Sequence, residues 1–361
     1  MRLLSPILQR IIYPALGKTG YFHSRASAAI VTYHGVFPQA YRSTDSFLDN
    51  ALLSVSSFRS QLKLLKKHYN LISPEYFLRW LKGSEQLPQR ALLLTCDDGL
   101  LNNLTVMLPV LQEEESQCLF FVTGQSTENR PAMLWYVELY LILMAARGTA
   151  RKVDCGGIVV REPGANVSAR RAEWQRLLRE LSRLGVEGRC DVLDRVAESW
   201  GLDRSWKQRF LDDPVLRQRF QLLRPSELNQ LADAGMTIGA HTMSHPILSA
   251  QPVESAQSEI ANCRQKLEEC TGRAVWALAY PFGNAATVGN RELDLARLAG
   301  YDCSFMNVPG DLQSACRFAL PRVHVTAEMS LEVYEAHISG FHEEIRRRFA
   351  ASRSRQSGIS A

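Results

Sequence analysis

The chain has 361 residues, 46% of them hydrophobic and 22% charged, so it can bury a sizeable core and is neither disordered nor collagen-like. Its length fits two or three domains, or one large barrel with an insertion. The net charge of +5 is too small to indicate a nucleic-acid partner, and we expect none. Eight cysteines without a CxxC pair do not indicate a disulfide scaffold, and no apolar stretch is long enough for a conventional transmembrane helix.

The N-terminal segment, residues 1–28, begins with an amphipathic pattern. Met1–Leu16 carries apolar residues on one helical stripe: Leu3, Leu4, Ile7, Leu8, Ile11 and Ile12. Charged and polar residues interrupt the stripe and no small-residue cleavage site follows, so it is a poor secretory signal. It is either a packed first helix or an interfacial membrane helix. We therefore predict a cytoplasmic protein, peripheral on the inner face of the membrane if the stripe contacts lipid.

Short apolar runs alternate with segments of helical period along most of the chain. The predicted strands are Ala29–Tyr33, Leu71–Ile72, Ala91–Thr95, Cys118–Val122, Met236–Ala240, Val275–Tyr280, Cys303–Met306 and Leu320–Val325. The predicted helices are Phe58–His68, Pro74–Leu81, Leu104–Glu115, Pro225–Ala234, Val253–Cys270, Arg291–Ala299 and Leu331–Arg347. Apolar strands that do not alternate, each followed by a helix, indicate a parallel sheet covered by helices. About seven such units favour a (β/α) barrel over an open sheet.

Residues 125–224 interrupt this rhythm and are predicted to be a mainly helical insertion between two barrel segments, 29–124 and 225–345. Residues 147–224 hold 17 of the 42 basic and 11 of the 37 acidic residues, so they carry the positive excess of the chain. The insertion is either a solvated cap or a basic lid over an anionic or lipid-linked substrate. The arginine-rich tail, residues 346–361, is either a frayed, solvated end or a contact with anionic lipid.

Two adjacent carboxylates directly follow the predicted strand Ala91–Thr95. Asp97 and Asp98 precede Gly99, which permits a tight turn. Active sites of β/α barrels are built at the carboxyl ends of the strands. Successive residues leaving a strand point in different directions, so one carboxylate can bind a metal while its neighbour faces the substrate.

Two histidines follow the predicted strand Met236–Ala240. His241 and His245 lie four residues apart, one at the strand end and one on the following turn. Two imidazoles plus one carboxylate, with open positions for water, are a common arrangement for a catalytic divalent metal. Zn²⁺ fits these donors, as do Co²⁺, Ni²⁺ and Fe²⁺.

A third turn, Ala279–Gly283, follows the strand that ends near Tyr280. Its proline and glycine enforce a turn, where backbone N–H groups can donate to a developing oxyanion. Taken in this order, the three segments TCDDG, HTMSHP and AYPFG resemble the motifs of the polysaccharide deacetylase family, also called the NodB-homology domain or carbohydrate esterase family four. The resemblance runs from about Ala29 to Val325, apart from the insertion. It implies a distorted (β/α)7 TIM-like barrel and metal-dependent N-deacetylation of an N-acetylhexosamine glycan.

The resemblance also implies roles for individual residues. It implies that Asp98, His241 and His245 bind the metal and that Asp97 is the general base. It further implies that the Phe282 N–H donates to the oxyanion. Tyr280, in the same turn, is a second candidate for contact with the oxyanion or the substrate.

The segment from Tyr33 to Val36 is similar to that of the exopolysaccharide glucosamine deacetylase subgroup, which implies that His34 is the general acid. Two departures from the family pattern leave alternatives open. Ala279 stands where the third motif usually has an arginine; Arg322 either replaces it or forms a surface salt bridge. His324 is the rival general acid.

The expected partner is an N-acetylated glycan or a lipid-linked amino sugar. Two alternatives are a hydrolase of a small non-sugar amide and a non-catalytic glycan-binding protein.

Overall fold

The computed structural model describes residues 7–24, 28–145 and 151–357, and its main feature is a parallel sheet rolled into a nearly closed barrel. The strands are β1 Ala29–Tyr33, β2 Asn70–Leu71, β3 Ala91–Cys96, β4 Leu119–Val122, β5 Lys152–Cys155, β6 Ile158–Arg161, β7 Thr237–Ala240, β8 Ala277–Ala279, β9 Cys303–Met306, β10 Leu320–Pro321 and β11 Val323–His324. Leu3 and Leu4 of the predicted stripe, residues 146–150 of the predicted insertion and residues 358–361 of the predicted tail lie outside the described residues.

The barrel is closed by one extended segment that pairs on both sides. The strand order is β10-β9-β8-β7-β4-β3-β1-β11, and all of these pairings are parallel. Because β10 and β11 are separated only by Arg322, the segment 320–324 acts as a single seventh strand between β9 and β1. The predicted distorted (β/α)7 barrel is therefore confirmed.

Helices cover the outside of this sheet. Those of the barrel and the termini are Tyr13–Lys18, Tyr21–Ser24, Val55–His68, Pro74–Leu81, Leu108–Glu113, Pro225–Asp233, Val253–Thr271, Asn290–Leu298, Leu331–Ile338 and Phe341–Ser357. Residues 125–224 contain the helices Trp135–Met144, Val167–Leu181, Val186–Ser199, Gln208–Asp212 and Pro214–Phe220, and the antiparallel hairpin β5–β6. π-helical turns form at Leu8–Ile12 and Asn103–Met107, and 3₁₀ turns at Gly124–Thr127 and Leu248–Ala250.

The strands β3, β4 and β9 are largely apolar because both of their faces are buried. In β3, Leu92 and Leu94 pack into the cluster beneath the helices, whereas Leu93 joins a second cluster that includes Phe121 and Phe305. A strand buried on both faces cannot alternate apolar and polar residues. The continuous apolar runs therefore predicted the parallel sheet correctly.

One prediction for the C-terminal region was wrong. The helix predicted at Leu331–Arg347 is broken after Ile338, since Gly340 adopts a left-handed backbone conformation with φ of +73°. The described part of the arginine-rich tail continues the helix Phe341–Ser357, and its solvation or contact with anionic lipid stays a prediction.

The N-terminal stripe is divided between the core and the surface. Leu8 and Tyr13 pack against the C-terminal helices, where Tyr13 donates a hydrogen bond to His342 Nδ1 or accepts one from it at 2.7 Å. Ile7 and Ile11 are exposed, Ile11 by 64%. None of the helices in the described ranges has the length and apolar character needed to cross a bilayer.

Candidate metal centre and active-site pocket

The predicted chemical groups follow different strands but converge at one end of the barrel. Asp97 and Asp98 follow β3, His241 follows β7 and His34 follows β1. The carboxyl ends of parallel strands in a barrel meet at one rim, so side chains that are far apart in sequence become neighbours there.

Asp98, His241 and His245 form a buried cluster of potential metal ligands. The Asp98 Oδ1 atom lies 3.6 Å from His241 Nε2 and 3.3 Å from His245 Nε2. One ligand atom from each of the three residues lies within 4.8 Å of the others. Asp98 Oδ1 and His241 Nε2 are buried without a hydrogen-bond partner among the described residues. A carboxylate and two imidazoles left unpaired in this way fit a divalent cation.

The histidine tautomer suits metal binding. The His241 Nδ1–H donates to the Ala279 carbonyl oxygen at 2.7 Å, which leaves the lone pair of Nε2 directed at the cluster. Burial by itself raises the pKa of Asp98, but the two adjacent imidazoles hold that pKa well below its usual range. Asp98 is therefore ionised at neutral pH.

The backbone around this cluster is locally strained. Among the described residues only six other than glycine have a positive φ, and four of them are at this site: Asp98, Thr242, His245 and Phe282, with φ of 79°, 62°, 56° and 60°. Non-glycine residues adopt such values at a cost of order 1–3 kcal/mol each, and these conformations cluster at functional sites. Gly99 is needed for a further reason: a Cβ there would lie 2.7 Å from Val122 Cγ1.

Asp97 is held by a buried arginine. Arg322 donates from Nη1 to Asp97 Oδ1 at 2.7 Å and from Nη2 to Oδ2 at 2.6 Å, and both side chains are almost fully buried. It also donates to Asn307 Oδ1 at 2.7 Å. Burial acts to raise the pKa of Asp97, but the charge and hydrogen bonds of Arg322, together with the charge of His241, outweigh it and the pKa is lowered. Of the two alternatives for Arg322, the structure shows the contact with Asp97 and not a surface salt bridge.

Both candidate general acids line the cavity beside the metal cluster. The rings of His34 and His324 meet edge to face, with their centroids 4.9 Å apart. The cavity has a volume of about 280 Å³, and its lining includes both histidines together with Asp98. Burial, followed by the charges of His34 and Arg322, lowers the pKa of His324 to about 3, so His324 is neutral at neutral pH.

The two residues of the third turn are placed differently. The Phe282 ring lies against His245, with ring centroids 5.0 Å apart, and lines the cavity. The Tyr280 side chain is fully buried away from the cavity, where its hydroxyl lies 2.6 Å from Ser304 Oγ. The structure therefore brings Phe282 to the site but does not bring the Tyr280 side chain there.

Two residues of the predicted insertion contact the candidate metal ligands, and the sequence analysis did not identify them. The Tyr136 hydroxyl donates to Asp98 Oδ2 at 3.2 Å, and its ring lies 4.7 Å from that of His245. The Trp135 Nε1–H donates to the carbonyl oxygen of His245 at 2.9 Å. The adjacent aromatic residues were visible in the sequence, but nothing in their spacing identifies ligands 38 and 110 positions away.

Replacing Tyr136 with Phe is expected to weaken zinc binding by about 10–100-fold, the usual effect of losing a group that orients a metal ligand. The ring contact with His245 stays, while Asp98 Oδ2 loses its donor. Competition with a chromophoric chelator measures the affinity without relying on turnover. Tyr76→Phe, which removes an exposed hydrogen bond to Gln86 elsewhere, is the control. Equal affinity in the two variants would show that Tyr136 does not orient Asp98.

Comparison of the sequence with known proteins indicates similarity to one family. The sequence model described as polysaccharide deacetylase matches residues 169–304, which include both histidines of the cluster and the third turn. Over these residues the chain is similar to the polysaccharide deacetylase family. This similarity confirms the resemblance predicted from the three motifs. The match begins inside the predicted insertion and excludes Asp97, Asp98 and Arg322, so the predicted domain boundaries stay a prediction.

A curated relative shows the same similarity. A putative polysaccharide deacetylase of Bacillus subtilis (strain 168), YxkH, is 26% identical over 117 residues, which are 32% of this chain and 41% of the relative. The matched part thus spans less than half of that relative.

Solved structures of deacetylases share the fold. The Streptococcus pyogenes deacetylase PplD in complex with acetate has a TM-score of 0.54 and 16% identity, covering 87% of this chain and 98% of its own. IcaB from Ammonifex degensii has a TM-score of 0.50 and 17% identity, covering 87% and 97%. At these identities the likeness shows the fold alone.

Proposed function

We propose that this protein is a metal-dependent N-deacetylase that hydrolyses the acetamide of an N-acetylhexosamine. The observation that carries the proposal is the pair of adjacent carboxylates in unlike surroundings. Asp98 lies with two histidines in a donor set that fits a divalent cation, while Asp97 is paired with Arg322. One carboxylate thus serves as a metal ligand and its neighbour as a base, which is the division of labour that amide hydrolysis requires.

Each proposed step uses a group of this chain. Asp98, His241 and His245 would hold the cation, which supplies Lewis acidity toward water and the acetamide carbonyl when bound. Asp97 takes the proton from the attacking water. The Phe282 N–H donates to the oxygen on which negative charge develops. His34 gives a proton to the leaving amine, which departs from the acetyl carbon as acetate forms.

His34 is the better choice of general acid than His324. A general acid must carry a proton to transfer at the working pH. The pKa of His324 is lowered to about 3, so this residue is neutral at the working pH. Its ring packs edge to face against the His34 ring and can orient it. We assign His324 a positioning role.

The finer predictions belong to this proposal. Zn²⁺ is the expected metal, with Co²⁺, Ni²⁺ or Fe²⁺ able to occupy the same donors. The expected substrate is an N-acetylated sugar of an exopolysaccharide or of its lipid-linked precursor. The proposed location is cytoplasmic, with peripheral contact at the inner membrane face. The exposed Ile7 and Ile11, near the exposed Arg10, support the membrane contact.

Acetate release by the purified, zinc-loaded protein tests the proposal. The substrates are N-acetylglucosamine oligomers and a lipid-linked N-acetylhexosamine, and the ring opening of small cyclic amides is measured in parallel. We expect acetate release from an acetylated sugar. Asp98→Ala should lose both this activity and the bound zinc. Asp294→Ala, which alters an exposed carboxylate, should keep both. Turnover of cyclic amides alone would instead identify a small-amide hydrolase. Glycan binding without any turnover would identify a non-catalytic binding protein.

A further inference from the structure

The cavity at the metal cluster has walls from two parts of the chain. One wall comes from the loop after β1 and includes Phe47, Leu48 and Asn50. The opposite wall comes from residues 134–219 and includes Trp174 and Arg219. Whether these walls meet decides whether a long glycan can pass through or only its end can enter.

A buried ion pair joins the two walls. Arg219 Nε donates to Asp49 Oδ1 at 2.7 Å, and the two side chains are only 4% and 6% exposed. Arg219 Nη2 also donates to the Leu48 carbonyl oxygen at 3.1 Å. Removing one partner of such a pair strands a buried charge, so the contact holds the loop firmly against the helices.

Further contacts extend the junction along the loop. The Tyr140 hydroxyl donates to Asp45 Oδ1 at 3.2 Å, and Arg170 lies 3.6 Å from the other oxygen of Asp45. The Phe47 ring packs against Tyr140 and Trp174, and its centroid lies 5.3 Å from the ring centroid of each. The loop and the helices therefore form one continuous wall from residue 45 to residue 49.

The volume behind this wall suits one sugar ring. At about 280 Å³ the cavity is below the ~300–1,000 Å³ typical of pockets for drug-sized ligands. Its lining is mostly aromatic and apolar, which suits stacking against the faces of a pyranose. Asn50 adds a polar group, since its buried Oδ1 has no hydrogen-bond partner among the described residues and can accept from a sugar hydroxyl.

We propose that the enzyme deacetylates a single N-acetylhexosamine that enters by its end, and not the internal residues of a polymer. The inference rests on the proposed deacetylase function. An internal residue needs room for the chain on both sides, and on this proposal the wall joined by Arg219 and Asp49 blocks one of those sides. The acceptable sources are the terminal residue of a glycan and a sugar linked to a lipid or nucleotide carrier.

The number of acetyl groups removed from each molecule tests the inference. The zinc-loaded protein is given N-acetylglucosamine pentamer, the simple methyl glycoside, and carrier-linked N-acetylhexosamine, and the products are sequenced by mass spectrometry. We expect one acetyl group lost per pentamer, always from an end, and turnover of the single-sugar substrates. Loss of internal acetyl groups at a comparable rate would overturn the inference while leaving the deacetylase function intact. No release from any substrate would contradict the proposed function itself, and this inference with it.

Opening the wall supplies the complementary test. Arg219→Gln and Phe47→Ala are expected to raise the ratio of internal to terminal deacetylation by about tenfold or more, since steric exclusion is relieved. Phe47→Ala leaves no stranded charge and so stays informative if Arg219→Gln does not fold. Arg273→Gln breaks a comparable 2.7 Å pair with the exposed Asp233 away from the cavity and should leave the ratio unchanged. An unchanged ratio in a folded Phe47→Ala protein would show that the wall does not select chain ends.

Discussion

Replacing Asp97 with Asn should lower kcat/KM by about 10²–10⁴-fold, the contribution of a positioned general base. Asparagine has nearly the same shape and can still accept a hydrogen bond from Arg322, but it cannot take a proton from water. Because Asp98 is the predicted ligand and Asp97 is not, the variant should keep its zinc. Steady-state kinetics and metal analysis of the same preparation measure the two properties separately.

The Asp97 variant also leaves the buried Arg322 without a counterion. We expect a loss of about 3–5 kcal/mol in the free energy of unfolding, as for other broken buried pairs. Asp294→Asn, an exposed carboxylate with an exposed arginine partner, is the matched control and should keep wild-type kinetics and stability. Near-wild-type turnover of a folded, zinc-loaded Asp97→Asn protein would mean that another group is the base.

Replacing Arg322 with Met should move the acid limb of the pH–rate profile to higher pH. In the wild-type protein burial acts to raise the pKa of Asp97, but the charge and hydrogen bonds of Arg322, together with the charge of His241, outweigh it and keep the pKa below its ordinary value. Without that charge burial dominates, so the carboxylate is protonated at a pH where the wild-type residue is ionised. A shifted pKa of kcat/KM separates this effect from a general loss of structure.

The same pair sets a pH dependence of stability. A carboxyl group whose folded pKa is depressed adds stability above its unfolded pKa of about 3.9, and this is lost as the pH falls through the folded value. Arg322→Met should therefore unfold about 3–5 kcal/mol more easily at neutral pH and lose less stability on acidification. Urea unfolding at several pH values provides the measurement.

Two further variants test the prediction for Arg322. Arg322→Lys retains the charge without the bidentate geometry and should give an intermediate shift of the acid limb. Arg317→Met removes an arginine paired with Asp302 at the surface and should leave the profile unchanged. An unshifted limb in folded Arg322→Met would exclude control of the Asp97 pKa by this arginine.

The sequence alone was enough to predict the fold class and the residues of the candidate metal-binding site. Continuous apolar strands followed by helices required a buried parallel sheet, and β1 and β9 have the predicted bounds. Because each predicted ligand directly follows a strand, and the carboxyl ends of parallel strands share one rim, the convergence of Asp98, His241 and His245 was predictable from their positions. Local order along the chain and one rule of barrel geometry brought the two histidines and the pair Asp97 and Asp98 together, while the choice of Asp98 as the ligand came from the resemblance to the polysaccharide deacetylase motifs.

Other features of the site were decided only by tertiary structure. The sequence left two roles open for Arg322. Its position in the segment 320–324, which closes the barrel, directs its side chain to Asp97. The contacts of Tyr136 with Asp98 and of Arg219 with Asp49 join residues 38 and 170 positions apart. Such pairings depend on how the helices of residues 125–224 pack over the barrel rim. No periodicity encodes that packing, because it follows from the shape and charge of surfaces that exist only after both parts have folded.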